Sequence, residues 1–171
     1  MKEVKVWDIF VRVFHWSVVA IVFLNFTLFE EGTTHEYLGY ILLVFLLFRL
    51  IWGFIGTKYA RFANFLPSIA KVKIHLADLK NTGESKHMGH NPIGAVMVFN
   101  LYITLILVSF TGWLGVTDQF WGTEWVEEVH EFFANYLLLS VFLHIGGVLF
   151  ESIRTGVNLI SAMINGIKKI P

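Results

Sequence analysis

The sequence contains no cysteine, three prolines and few charged residues. The absence of cysteine excludes disulfides, thiolate catalysis and cysteine-ligated iron–sulfur clusters. Charged residues make up 15% of the 171 positions, whereas soluble domains contain about 25%. Hydrophobic residues make up 56%, and the mean hydropathy is +0.64. This composition indicates a membrane protein rather than a soluble domain.

Four long apolar stretches cover most of the chain, at about 7–29, 35–56, 92–116 and 125–153. Each contains the ~20 apolar residues that a membrane-spanning helix needs. Because backbone polar groups in lipid must be hydrogen-bonded internally, we predict an all-α integral membrane four-helix bundle that forms one domain over 1–171. The first stretch is longer than a signal-peptide core and lacks a small-residue cleavage site, so we expect it to remain as a span.

Basic residues are missing from the part of the chain predicted to lie on one side of the membrane. All 13 Lys and Arg residues lie on or near the face that carries the termini and the loop 58–91. By the positive-inside rule this face is cytoplasmic, so both termini are predicted to be cytoplasmic. The opposite face carries eight acidic residues and no base: Glu30, Glu31, Glu36, Asp118, Glu124, Glu127, Glu128 and Glu131.

Local signals mark helices in the connecting segments. The long loop is predicted to contain a short amphipathic helix over about 68–80, lying on the cytoplasmic interface. Its apolar residues recur at helical spacing with lysines between them: Ile69, Val72, Leu76 and Leu79. Asn91 and Pro92 are predicted to be the N-cap and first position of the third span. Thr33 and Glu36 have the spacing of a capping box that would start the second span.

Four of the seven histidines fall in the predicted spans: His15, His35, His130 and His144. Histidine inside lipid is costly and is by default functional. His130 and His144 are fourteen residues apart, which is about 40° short of four helical turns and about 21 Å of rise. Their imidazoles therefore point from one helix face, in opposite halves of a ~30 Å hydrocarbon core.

The four histidines also pair by depth. His15 lies at a depth similar to that of His144, and His35 lies at a depth similar to that of His130. A six-coordinate haem needs two neutral imidazoles on facing helices, which a helix bundle provides. We therefore predict that each pair ligates one haem iron. Since cysteine is absent, the haem must be held non-covalently, by coordination and packing.

Several longer segments, spread over the whole chain, carry a family resemblance. They are VWDIFVRVFHW at 6–16, HEYLGY at 35–40, RLIWGFIGTKYARF at 49–62, GHNPIGAVM at 89–97, and EEVHE and LHIGG around His130 and His144. With them the chain resembles the bacterial cytochrome b561 family, which includes the b-type cytochrome subunits of membrane nickel–iron hydrogenases. The resemblance implies a bundle in the bacterial cytoplasmic (inner) membrane with two b haems, ligated at His15, His35, His130 and His144, that exchanges electrons with a quinone. The hydrogenase subunits are usually longer, with larger connecting segments, which counts against a hydrogenase role.

Further side chains are candidates for haem binding. Arg12, one turn before His15, either pairs with haem propionates or snorkels to the lipid headgroups. Arg49 and Arg61 are weaker candidates of the same kind. Gly146 and Gly147, directly after His144, are favoured for close approach of a porphyrin, with ordinary helix packing as the alternative.

A quinone site is predicted at the cytoplasmic start of the third span. His90 lies there, and a histidine can supply a proton to a quinone headgroup near neutral pH. Arg61 is the second candidate for this site. His75 and His87 are predicted to be solvated surface residues.

The leading prediction for function is a transmembrane electron conduit between the quinone pool and a periplasmic redox partner. The acidic outer face suits a partner with a basic patch, such as a c-type cytochrome. One alternative is a superoxide:quinone oxidoreductase, although capture of an anion calls for a cationic funnel that the outer face lacks. Another is a membrane anchor and electron acceptor for a hydrogenase or dehydrogenase. No nucleic acid partner is expected, and whether the chain is itself an enzyme stays open.

Overall fold

Four long apolar helices form the frame of the molecule. The computed structural model describes residues 2–81 and 89–170. Its elements are β1 (Lys2–Lys5), α1 (Ile9–Thr27), α2 (Thr33–Ile55), a 3₁₀ turn (Phe62–Asn64), α3 (Ile69–Asn81), α4 (Pro92–Gly115), α5 (Glu124–Thr155), α6 (Leu159–Asn165) and β2 (Ile167–Ile170). Helices α1, α2, α4 and α5 are long and apolar enough to cross a membrane. The protein is therefore a multi-pass, all-α membrane bundle.

The core of the bundle contains side chains from all four spans. Five of them are buried together: Ile21, Leu42, Leu46, Leu105 and Leu137. The outer surface is covered by large apolar side chains such as Phe48 and Ile55, which are 67% and 71% exposed. Such a continuous apolar surface suits contact with lipid rather than water.

Helix α5 stands apart from α1 and α2. Close backbone contacts join α1 to α2, α2 to α4, α4 to α5, and α5 to α6. Within residues 2–81 and 89–170, α5 is not closely packed against either α1 or α2. The backbone of α5 is therefore more distant from α1 and α2 than from α4, although Leu137 of α5 shares the buried core with Ile21, Leu42 and Leu46.

The two ends of the chain meet in a small ribbon that no pattern in the sequence indicates. Strand β1 pairs antiparallel with β2, with Lys5 opposite Ile167, and an ion pair of 3.0 Å joins Glu3 to Lys169. Strands of four residues are too short to give a readable hydrophobic period. We call this end of the bundle the terminal end. We call the opposite end, where α1 connects to α2 and α4 connects to α5, the acidic end.

The start of α4 confirms the predicted N-cap. Pro92 is its first residue, and the Asn91 side chain accepts the Gly94 N–H at 2.6 Å. The capping-box prediction for α2 is wrong, because Thr33 is already helical and Gly32 is the N-cap, without a side-chain cap hydrogen bond. Gly32 has a φ of 85°, which glycine adopts without the Cβ penalty of other residues.

The predicted amphipathic helix is present as α3, but one prediction about it is wrong. His75 is buried, at 4% exposure, rather than on the surface. The reason is that α3 packs against α4, which turns His75 inward. Ile69 and Leu76 are exposed. His87 and the Leu79 side chain lie outside the described residues.

Candidate functional site

Two histidine pairs lie at two levels of the bundle. The ring centroids of His15 on α1 and His144 on α5 are 6.4 Å apart. Those of His35 on α2 and His130 on α5 are 6.1 Å apart. The structure thus brings together the two pairs that depth along the spans predicted. Fourteen residues of α5 place the levels about 21 Å apart along that helix.

The separation within each pair suits one metal ion between two imidazoles. Two metal–nitrogen bonds of about 2 Å, with each nitrogen about 1 Å from its ring centroid, require centroids roughly 6 Å apart. Both pairs meet this requirement. Each pair also bridges helices that are not closely packed on one another, α1 with α5 and α2 with α5. The residues present therefore fit a haem, whose iron each pair would hold with one imidazole from each of two helices.

Backbone carbonyls orient the His35–His130 pair. The Nδ1 atom of His35 lies 2.9 Å from the Phe29 carbonyl oxygen, and Nδ1 of His130 lies 3.1 Å from that of Val108. Because a carbonyl oxygen only accepts, each Nδ1 carries the hydrogen and each Nε2 keeps its lone pair. This hydrogen bond is the usual way in which proteins fix the tautomer of a metal-ligating histidine.

The His15–His144 pair is held differently. Nδ1 of His15 is buried and has no hydrogen-bond partner in the part of the chain that the structure describes. Its ring packs edge-on against Trp16, with centroids 5.1 Å apart. Packing therefore restrains this imidazole, and the group that it coordinates would complete its orientation.

Three helical glycines lie on the same helices as the histidines or next to them, and the space beside each glycine differs. A Cβ at Gly112 would lie 3.0 Å from Cε1 of His130, so only glycine lets that ring approach α4. A Cβ at Gly146 or Gly147 would meet nothing within 4 Å. Gly147 lies about 60° from His144 around the helix, and Gly146 lies about 160° away. Of the two predicted glycines, Gly147 thus shares the face of the histidine.

The predicted arginines have different environments. Nη1 of Arg12 donates to the Ile164 carbonyl at 2.6 Å and thereby ties α1 to α6. This bond joins residues 152 positions apart, so no local pattern could have predicted it. Arg61 is exposed and immediately precedes the 3₁₀ turn. The propionate and quinone roles of these two residues stay predictions.

His90 is enclosed at the terminal end of the bundle. Its ring centroid lies 4.7 Å from that of Trp7 and 4.5 Å from that of Phe65. Burial lowers the pKa of His90 to about 3, and the positive charges of Arg49 and Lys168 add to this effect. His90 is therefore neutral near neutral pH. Its predicted role at a quinone site stays a prediction.

Arg49 lies deeper in the bundle than expected. The side chain is 7% exposed and faces the interior of the bundle. A signal in the sequence could have found it, because Arg49 follows His35 by fourteen residues, as His144 follows His130. Two polar residues at equal spacing on two spans therefore mark the same two levels.

Comparison with known proteins identifies the family of the chain. The family model described as prokaryotic cytochrome b561 matches residues 6–166, which include all four paired histidines. The chain belongs to the prokaryotic cytochrome b561 family. It is accordingly a membrane b-type cytochrome that takes part in electron transfer, and the family implies haem b as its cofactor. No solved structure matches the chain.

Curated relatives of this cytochrome b561 family member are similar at low identity. Proteins described as probable Ni/Fe-hydrogenase B-type cytochrome subunits from Azotobacter vinelandii and Azotobacter chroococcum mcd 1 are each 24% identical, with 95% of this chain and 87% of each relative covered. The corresponding protein of Rhizobium leguminosarum bv. viciae is 22% identical, with 96% and 88% covered. The first alignment extends over 211 positions against 171 residues here, so that relative contains insertions.

Gly112 provides a matched test of this site. We expect Gly112→Ala to displace the His130 ring by a few tenths of an ångström, because the new methyl group would crowd Cε1 at 3.0 Å. The optical spectrum and midpoint potential of the haem at that level should change, while those of the other haem stay constant. Gly115→Ala is the control on the same helix, since its Cβ meets Val126 at an ordinary 3.6 Å. Equal effects of the two substitutions would contradict the assignment.

Proposed function

We propose that the protein is a di-haem b-type cytochrome that carries electrons across the bacterial cytoplasmic membrane. The electrons pass between the quinone pool and a periplasmic redox partner such as a c-type cytochrome. The observation that supports this proposal is the presence of two histidine pairs, with ring centroids 6.4 and 6.1 Å apart, at two levels of the spans. His15 and His144 hold one haem, and His35 and His130 hold the other. Each haem supplies a one-electron carrier when bound.

The protein contributes histidine ligands of fixed orientation and an apolar region between the two haem sites. The carbonyls of Phe29 and Val108 hold two of the imidazoles in one tautomer. Between the two levels, Leu137 lies seven residues from each histidine of α5 and is 2% exposed. It packs with Leu42 and Leu46 of α2. This apolar core keeps water away from the region between the two sites.

The distribution of charged residues supports the proposed orientation of the protein in the membrane and the proposed type of partner. The basic residues cluster towards the terminal end, which by the positive-inside rule is the cytoplasmic end. The acidic end then faces the periplasm, where it attracts a redox protein with a basic surface. The quinone is proposed to bind at the terminal end, near the enclosed His90 and the exposed Arg61.

A second candidate function is favoured by the relatives. Three similar proteins are described as probable hydrogenase cytochrome subunits, so the chain is alternatively the membrane subunit of a hydrogenase or dehydrogenase. Copurification of a large subunit from native membranes would support this assignment. Reduction by a small soluble cytochrome at a rate that falls steeply with added salt would support the first, because exposed charges are screened.

The haem content tests the two-level proposal directly. We expect purified protein to contain two b haems per chain, because each histidine pair provides a complete axial ligand set. An optical redox titration should resolve two components, since the two sites have different surroundings. The measurement is the haem-to-protein ratio together with the fitted titration curve. A ratio of one haem per chain would overturn the proposal.

A further inference from the structure

Arg49 is a buried cation at the level of the His15–His144 pair. Helices α2 and α5 both begin at the acidic end and run in the same direction. Arg49 follows His35 by fourteen residues, so it lies about 21 Å deeper and only about 40° away around α2. It therefore occupies on α2 the level that His144 occupies on α5.

The contacts of Arg49 leave part of its guanidinium unused. Nη2 donates to the Ala60 carbonyl at 3.1 Å, and Cζ lies 4.6 Å from the centroid of the Phe62 ring. Nη1 is buried and has no hydrogen-bond partner among the described residues. The ion pairs within residues 2–81 and 89–170 do not include Arg49. A buried guanidinium without an anionic partner is strongly unfavourable, so the site calls for an anion.

Asp8 is not the anionic partner of Arg49. Its carboxylate accepts hydrogen bonds from the Val11 N–H at 2.9 Å, from Trp52 Nε1 at 3.0 Å and from Thr57 Oγ1 at 2.6 Å. These three donors occupy the carboxylate at the start of α1. The acid contributes long-range attraction to Arg49 but no direct contact, and Nη1 stays unsatisfied.

His90 has a second unpartnered polar atom near Arg49, which donates a hydrogen bond in the tautomer that protonates Nδ1. Its Nδ1 is buried without a partner in the described part of the chain. The His90 ring packs on Phe65, and Phe65 packs on Phe62 with centroids 6.0 Å apart, so His90 and Arg49 border one aromatic cluster. Lys168 adds a positive charge beside His90, because its Nζ donates to the neighbouring Gly89 carbonyl at 3.3 Å.

The chemistry of these groups selects a carboxylate. A planar guanidinium with an unused N–H binds carboxylates strongly, and a quinone carbonyl would leave the buried charge uncompensated. We propose that Arg49, assisted by His90, binds a propionate carboxylate of the haem that His15 and His144 hold. The inference rests on the proposed function of that pair. Arg49 is thus a positioning residue that orients the haem and, as a nearby cation, favours its reduced state.

Substitution of Arg49 tests the inference through the potential of one haem. We expect Arg49→Leu to lower the midpoint potential of the His15–His144 haem and to leave that of the other haem unchanged. Arg49→Lys, which keeps the charge but not the planar fork, should retain most of the potential. Arg49→Gln, which removes the charge but keeps a polar side chain, should lower the potential as Arg49→Leu does, and it keeps the test open if the leucine variant fails to fold. Lys58→Leu is the control, because Lys58 is an exposed cation just after the same helix. An unchanged potential of the His15–His144 haem in the uncharged Arg49 variants would overturn the inference.

A haem with blocked carboxylates identifies the anion. In full-length protein loaded with haem dimethyl ester, the ester at this level should dissociate about tenfold or more faster than haem. In Arg49→Leu the two should dissociate at similar rates. Equal dissociation in the wild type would mean that Arg49 serves another anion, such as a lipid phosphate, and would overturn the inference. If His144→Leu changes neither the number nor the spectra of the haems, the proposed function fails instead.

Discussion

His144→Leu should remove or spectrally alter one of two haems, and His130→Leu should do the same to the other. Leucine provides no ligand atom, so a six-coordinate site becomes incomplete. The two effects should be independent, because about 21 Å of helix separates the residues. The double variant, which lacks both histidines of α5, should retain no six-coordinate haem. The haem-to-protein ratio and the optical spectrum of each variant measure this.

Substitutions of the partner histidines and of a control histidine extend this test of the haem ligands. His15→Leu should reproduce the spectrum of His144→Leu, and His35→Leu should reproduce that of His130→Leu, since their rings face each other at 6.4 and 6.1 Å. His75→Leu removes a buried histidine that belongs to neither pair. It should retain both haems. An unchanged spectrum in His35→Leu would refute the two-level arrangement.

Asp8→Ala should lower the free energy of unfolding by about 3 kcal/mol. The substitution removes the N-cap of α1, which contributes about 1 kcal/mol, and two further hydrogen bonds to an ionised acceptor at about 1 kcal/mol or more each. The lost donors are Trp52 Nε1 and Thr57 Oγ1, at the end of α2 and just after it. Thermal unfolding in detergent measures the loss. Glu3→Ala is the control at the same end, because its ion pair is largely exposed and contributes little.

The contribution of Asp8 should also depend on pH. Burial raises the pKa of Asp8, but hydrogen bonds from Thr57, Val11 and Trp52 together lower it below the usual 3.8. The unfolded chain therefore binds this proton at a higher pH than the folded chain does. The stabilisation is fully present above 3.8 and is lost as the pH falls through the folded pKa. Asp8→Asn should be less stable than the wild type near neutral pH, and the gap should narrow below pH 3.8; a constant gap would contradict this assignment.

The spans and the two histidine levels were predictable because lipid restricts the possible structures. A spanning helix must be long and apolar, and its period of 3.6 residues converts spacing directly into depth and direction. That is why His130 and His144 could be placed on one face, and why depth paired them with His35 and His15. The structure confirms both the four spans and the proximity of the pairs.

Other features depend on contacts between distant parts of the chain. Trp52 and Thr57 reach Asp8 across 44 and 49 positions, and Arg12 reaches Ile164 across 152. The periodicity of α3 predicted the helix but not the burial of His75, because the neighbouring helix decides which face is covered.

The sequence by itself determined the membrane class, the four helices and the depth of each histidine, since local composition and helical period are sufficient for these. Only the tertiary structure decided which helices pack closely and which stay apart at the histidine pairs. It also decided that Arg49 is buried without a described anionic partner. These properties follow from how side chains far apart in the chain share one small volume, and no local pattern records that arrangement.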